Sequence, residues 1–215
     1  MGDAPVERPV SAWQKPRLTF RRLFGLDRSG PPPPMTLAGA PLNPWTIPNA
    51  IGFARLALIP VFFIVAMSSS DGTGAWPATL FAVIAWTDYA DGIAARVTGQ
   101  YSRFGALLDP ITDRLLVLCG VAACWYHDLL PRWALAVLVA RELFMLLAGR
   151  EALKRGRELR INMVGRWAVW PVMSAIFLAL CGVDTLANVL LYVGVVLTLW
   201  ATALYVRDAR PSTSA

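Results

Sequence analysis

Asp88-Tyr-Ala-Asp91-Gly92-Ile-Ala-Ala95-Arg96, followed after a short turn by Gly105-Ala-Leu-Leu-Asp109-Pro-Ile-Thr-Asp113, places four carboxylates inside sequence that otherwise reads as lipid-spanning. On a helix, Asp88 and Asp91 (i, i+3) share one face, and so do Asp109 and Asp113 (i, i+4). Two such faces turned toward each other make an oxygen-rich site suited to one or two hard divalent cations. An Asp at mid-membrane costs about 2.5–3.5 kcal/mol on insertion scales, so four would cost on the order of 10 kcal/mol if deeply placed. Metal binding, or a position near the interface, has to lower that cost. The plainer alternative is four polar residues at helix ends.

The surrounding composition excludes an ordinary soluble domain: of 215 residues, 56% are hydrophobic and only 16% charged. Apolar runs long enough to span a bilayer recur after about residue 47. Nine Trp and five Tyr suit interfacial anchoring, with some packing between helices. The three cysteines, Cys119, Cys124 and Cys181, lie in apolar segments without metal-type spacing, which points to small buried hydrophobes, not a disulfide framework or a zinc site. His127 is the only histidine and reads as a solvated loop residue beside Asp128, with no catalytic role.

The periodicity predicts an all-α integral membrane protein, a bundle of six transmembrane helices over roughly 50–68, 76–97, 104–126, 132–150, 161–181 and 185–206. Residues 1–42 form a basic, proline-rich tail that ends in Pro31-Pro32-Pro33-Pro34. Within it, Leu18-Thr-Phe20-Arg21-Arg22-Leu23-Phe24 suits either a short interfacial helix on an anionic membrane surface or an unstructured basic stretch. Arg21-Arg22 is no export signal, because neither an apolar core nor a small-residue cleavage site follows it. The six-span domain covers 43–206, and 207–215 is a C-terminal tail.

Charge placement orients this bundle. Six Lys or Arg precede the first span, two follow the second, five follow the fourth and two follow the sixth, whereas the opposite loops hold Arg132 alone. That asymmetry places both termini in the cytoplasm of a multi-pass cell-membrane protein. It also brings Asp88–Arg96, ending span two, and Asp109–Asp113, beginning span three, to the cytoplasmic side, where a polar metal site meets the cytosol. Arg55 is a fixed positive charge one to two turns into the first span. It either snorkels toward the interface or faces the site as a phosphate contact, and the second reading is preferred because intramembrane charge is usually paired and functional.

The arrangement D-x2-D-G-x2-A-R-x8-G-x3-D-x3-D resembles the signature of the CDP-alcohol phosphotransferases, with every fixed position filled. The resemblance implies an integral membrane enzyme that moves a phosphatidyl or similar group from a CDP-linked donor to an alcohol and releases CMP. It further implies that Asp88, Asp91 and Asp109 are metal ligands and that Asp113 is both ligand and general base. The metal would be Mg2+ or Mn2+, as two ions that neutralise the pyrophosphate. Gly92, one residue after a ligand, lets a nucleotide approach the helix backbone or lets helices pack closely. Arg96 offers a planar, permanently charged fork to the donor phosphate. Gly105 opens space on the facing helix. The family pattern adds Ser102 as a donor contact, although a turn serine commonly caps the next helix. Family members are commonly homodimers, so a homodimer is expected, with membrane lipid around it and no nucleic-acid partner.

Asn49, Arg55, Arg141 and Arg166 are further candidates for phosphate or acceptor contacts. Arg141 and Glu142 are adjacent and therefore point in different directions; packing partners explain them as well as acceptor binding does. Asn162, Arg166 and the cationic loop 150–160 suit either an anionic acceptor pocket or topology alone.

Leu108-Asp109-Pro110 with Asp113-Arg114 resembles the branch that makes phosphatidylglycerophosphate or cardiolipin. Asn43-Pro-Trp-Thr-Ile-Pro-Asn49 resembles the lead-in of CMP-forming, eukaryotic-type cardiolipin synthases. Gly165-Arg166-Trp167-Ala168-Val169 departs from the Gly-Lys-Leu-Lys-Thr-like stretch usual in phosphatidylglycerophosphate synthases. Glycerol 3-phosphate wants several cationic contacts, whereas phosphatidylglycerol carries one phosphodiester charge and arrives through lipid. The expected reaction is therefore transfer from CDP-diacylglycerol to phosphatidylglycerol, giving cardiolipin; the alternative acceptor is glycerol 3-phosphate. An ion or proton transporter is the alternative of another class, but no second acidic motif or inverted repeat appears.

Overall fold

The computed structural model describes residues 19, 42–154 and 163–209, and among these it is all-helical. Six helices follow one another: α1 Ile47–Ser68, α2 Ala75–Thr98, α3 Arg103–Tyr126, α4 Arg132–Lys154, α5 Met163–Leu180 and α6 Asp184–Ala209. They coincide with the six apolar segments read from sequence. The largest differences are at α1, which begins three residues earlier, and at α4 and α6, which run on to Lys154 and Ala209. The N-terminal tail apart from Thr19 and Leu42, most of the cationic loop, Asn162 and the last six residues lie outside the described residues.

Among the described residues, two helices are long and apolar enough to cross a membrane, Ile47–Ser68 and Asp184–Arg207, with Val169–Leu180 as a shorter apolar helix. The apolar windows of the two spans are only 28% buried, the reverse of a core helix in a soluble protein. Ile64, Trp86, Leu147 and Val196 stand outward on their helices, as lipid-facing side chains do. Helices α2, α3 and α4 carry the carboxylates and arginines of interest, and those charges lower their mean hydropathy.

The chain divides into two compact units, Met1–Val61 with Val83–Leu116, and Phe62–Ala82 with Val117–Ala215. In the first, buried positions recur at helical spacing as Asn49, Gly52, Arg55 and Ile59 on α1, Ile84 and Asp91 on α2, and Leu108, Thr112 and Leu116 on α3. Gly52 lies against Leu108, and a Cβ there would approach Leu108 Cδ2 to 3.1 Å. Phe53 and Phe104 face each other at 5.3 Å between centroids.

The second unit is packed by small residues. A Cβ on Gly194 of α6 would stand 2.6 Å from Val172 Cγ2 of α5, and one on Gly120 of α3 would stand 2.8 Å from Ile176 Cγ2. Close backbone approach of this kind holds helices together where lipid removes the hydrophobic drive between them. Phe62 and Phe81 pack at 5.5 Å, and Trp133 stacks on Tyr192 at 5.6 Å.

His127 belongs to this unit and is not simply solvated. Its Nε2–H donates to the carbonyl of Ala66 at 3.0 Å, in the last turn of α1, where backbone acceptors lack helical partners. Among the cysteines, Cys124 is buried as expected, Cys119 partly so, but Cys181 is exposed because it falls in the turn after α5.

Candidate active site

The site is built on the first unit, and local capping sets its geometry. Thr46 Oγ1 accepts from the Asn49 amide at 3.3 Å, and Gln100 Oε1 accepts from the Ile47 amide at 3.0 Å; together they cap α1. Pro48 sits at the second helical position, where its missing N–H costs nothing. Helix α2 ends at Gly99, whose φ of 72° is the left-handed conformation that closes a helix. Ser102 then caps α3: its Oγ accepts from the Gly105 amide at 3.0 Å.

Asn49 joins these pieces. Its Nδ2 donates to the carbonyls of Asn43 and Pro44 at 3.2 and 2.9 Å, and its Oδ1 accepts from Ser102 Oγ at 2.9 Å. A Cβ on Gly105 would come within 2.6 Å of that Oδ1, so the glycine is what admits the amide. Asn49 and Ser102, both buried, thus brace the starts of α1 and α3 through protein hydrogen bonds. Gly105 likewise makes room for a side chain of this chain.

The four aspartates converge on Arg55. Its guanidinium contacts Asp88 and Asp113 through Nη1, the latter at 3.6 Å, and Asp91 and Asp109 through Nη2 at 3.5 and 3.3 Å. Arg55 is 1% exposed, so it does not snorkel: it falls on the buried stripe of α1 and meets the carboxylate faces of α2 and α3. Asp91 is buried (8% exposed), while Asp88, Asp109 and Asp113 are about half-exposed, Asp113 most of all at 53%. Thr112, between Asp109 and Asp113 on α3, returns its hydroxyl to the carbonyls of Leu108 and Asp109.

Among the described residues, no group of three or more His, Cys, Asp or Glu stands in an arrangement that would hold a metal ion. The aspartates are arranged around a guanidinium, which is broader than a bare cation. The donor set nevertheless suits a hard cation chemically. One guanidinium faces four carboxylates, and Asp91 Oδ2 is buried without a hydrogen-bond partner.

Gly92 and Arg96 act as a pair. A Cβ on Gly92 would lie 3.3 and 3.4 Å from Arg96 Nη2 and Nη1, so the guanidinium folds back over the glycine one turn away. Arg141 belongs to the second unit. Contrary to the expectation for adjacent residues, its Nη1 donates to Glu142 Oε2 at 2.8 Å, because the long side chain curls along its own helix; its Nε donates to Thr202 Oγ1 at 3.1 Å. These contacts partner the partly buried charge of Arg141. Arg166 lies on α5, but its side chain is outside the described residues.

Residues 45–200 match the family model for CDP-alcohol phosphatidyltransferase. The chain belongs to this family. It is a transferase of phospholipid biosynthesis and a membrane protein. It is 32% identical to a CMP-forming cardiolipin synthase of Streptomyces coelicolor over 74% of this chain and 77% of the relative. It is 33% identical to the CDP-diacylglycerol–glycerol-3-phosphate 3-phosphatidyltransferase of Bacillus subtilis, covering 61% and 75%. A probable CMP-forming cardiolipin synthase of Drosophila melanogaster is 39% identical over 50% of this chain and 33% of its own length. Arg55 and Asn49 lie outside the aspartate signature, yet they organise the site; a charge and an amide on the apolar stripe of α1 were the signals for them.

Proposed function

We propose that the chain transfers the phosphatidyl group of CDP-diacylglycerol to phosphatidylglycerol, forming cardiolipin and CMP. The observation that carries this reading is the convergence of Asp88, Asp91, Asp109 and Asp113 beside Gly92 and Arg96, in the order of the family signature. The acceptor's hydroxyl oxygen forms a new bond to the phosphatidyl phosphorus as the bond from that phosphorus to CMP breaks. CMP leaves with the bridging oxygen, and Asp113, the most exposed of the four carboxylates, takes the hydroxyl proton. Asp88, Asp91, Asp109 and Asp113 would hold Mg2+ or Mn2+, as two ions. When bound, the metal neutralises the pyrophosphate and the departing CMP. Arg96 and Arg55 contact the donor phosphates, and Gly92 keeps the helix surface low enough for the nucleotide.

In this reading all six helices cross the membrane and 43–206 form the catalytic domain. Both tails, 1–42 and 207–215, are cytoplasmic, by the Lys and Arg asymmetry of the loops. The enzyme works as a homodimer. Arg141 and Arg166 contribute to the acceptor side.

The second reading replaces phosphatidylglycerol with glycerol 3-phosphate, and the similarity to the Bacillus subtilis enzyme favours it. Mass spectrometry of products separates the two, with purified protein given CDP-diacylglycerol, Mg2+ or Mn2+ and one acceptor at a time. Cardiolipin with CMP is expected from phosphatidylglycerol. Phosphatidylglycerophosphate from glycerol 3-phosphate, with no cardiolipin, would replace the first reading by the second.

Arg96→Ala is expected to raise the KM for CDP-diacylglycerol by about 10–100-fold, the effect of losing a charge-assisted hydrogen bond. A steady-state titration of the donor measures it. An unchanged KM and kcat would return Arg96 to a topological charge.

A further inference from the structure

Arg55 is a permanent cation held by the four carboxylates that the proposed function assigns to a divalent one. We propose that Arg55 is a built-in countercation: its guanidinium holds the carboxylate oxygens that a divalent cation would take, releases them to that cation, and turns its fork to the donor's pyrophosphate. The inference rests on the cation-dependent reading of the site and adds a coupling to it.

Three features of the contact set support exchange over a permanent tie. Nη1 is shared between Asp88 and Asp113 and Nη2 between Asp91 and Asp109, so the same partners serve either cation. The set is left unsaturated on both sides: Arg55 Nε is buried without a hydrogen-bond partner, and buried Asp91 Oδ2 has the 3.5 Å ion pair with Arg55 Nη2 but no hydrogen bond. Four formal negative charges against one positive leave an excess that the guanidinium cannot cancel. A guanidinium does not deprotonate in proteins, so it yields the site by competition and not by losing a proton. A phosphate-rich donor is the natural receiver for the displaced fork, since a planar guanidinium matches phosphate as well as carboxylate.

Two linked effects follow. Arg55 lowers the affinity for a divalent cation when no nucleotide is present, because the two compete. Donor binding removes the competitor, so nucleotide and cation strengthen each other by the same factor. Neutralising Arg55 should raise cation affinity and abolish that coupling, whereas a residue that merely scaffolds the site would lower affinity when removed.

The test is Mn2+ binding to the full chain in detergent, read as loss of the free-Mn2+ EPR signal, with and without CDP. Arg55→Gln is expected to bind Mn2+ about 5–150-fold more tightly than wild type without CDP, the usual range for a coupling between sites. CDP is expected to tighten Mn2+ binding in wild type and to leave Arg55→Gln unchanged. Arg55→Lys keeps the charge without the fork and should fall between them; it decides the matter should the Gln variant fail to fold. Mn2+ binding by wild type with equal or weaker binding by the variants would overturn the countercation role while leaving the metal site standing. No Mn2+ binding by any of the three would overturn the metal site itself and the inference with it.

Discussion

Replacing Asp113 by Asn is expected to slow phosphatidyl transfer by about 10²–10⁴-fold, the range contributed by a positioned general base, while binding of CDP survives. Asn keeps the size and hydrogen-bonding reach of the side chain but cannot accept a proton. Asp113 is the carboxylate of the four most open to an incoming hydroxyl, and its Oδ1 stands 3.6 Å from Arg55 Nη1. That contact points the carboxylate into the cluster. Turnover by the purified variant and calorimetric titration with CDP separate its two assigned roles. A fall in kcat with CDP affinity retained supports a base. A parallel loss of both would make Asp113 chiefly a ligand, and wild-type turnover would remove it from the chemistry altogether.

Asn49→Ala is expected to destabilise the protein by about 3 kcal/mol, since three hydrogen bonds to one buried amide are lost and partners are left unsatisfied. For a chain of this size that corresponds to a fall in Tm of roughly 6–12 °C, measured by thermal unfolding in detergent. The amide links Asn43 and Pro44 to the cap of α3 through Ser102, so its loss should also loosen the helix that presents Asp109 and Asp113. A second substitution sharpens the test. Gly105→Ala alone would press a methyl group against Asn49 Oδ1, at 2.6 Å, and is expected to be costly. In the Asn49→Ala background the same change should cost less, because the nearest obstructing atom is gone and only Ser102 Oγ remains close, at 3.2 Å. Additive losses would show that Gly105 serves something other than the amide.

Both predictions draw on features of unequal legibility. The carboxylate pairs were readable because helical spacing alone puts Asp88 with Asp91 and Asp109 with Asp113. The six helices were readable because long, mostly apolar runs end at Gly, Pro and Ser clusters. Arg55 was conspicuous as a charge in an apolar run, but periodicity could not say which side chains it would meet. Asn49 and Ser102 were legible as polar residues at helix starts, but not the hydrogen bond between them, because it joins residues far apart in the chain. The Arg141–Glu142 pair ran against the rule that adjacent helical residues diverge, since a long flexible arginine can bend back to its neighbour.

The sequence by itself determined the class of this protein. A helical period written over apolar residues, interrupted by a signature of aspartates, glycines and arginine, makes it an all-α membrane transferase of the CDP-alcohol phosphatidyltransferase family. Only the tertiary structure decided what stands at the centre of the site. Spacing places side chains on a helix face, but not the rotation of one helix against another. The packing of Gly52 on Leu108 and the stapling of α1 to α3 through Asn49 set that rotation. They bring the buried stripe of α1 to the carboxylates of α2 and α3, so a charge that sequence left between lipid and site became the guanidinium shared by all four aspartates.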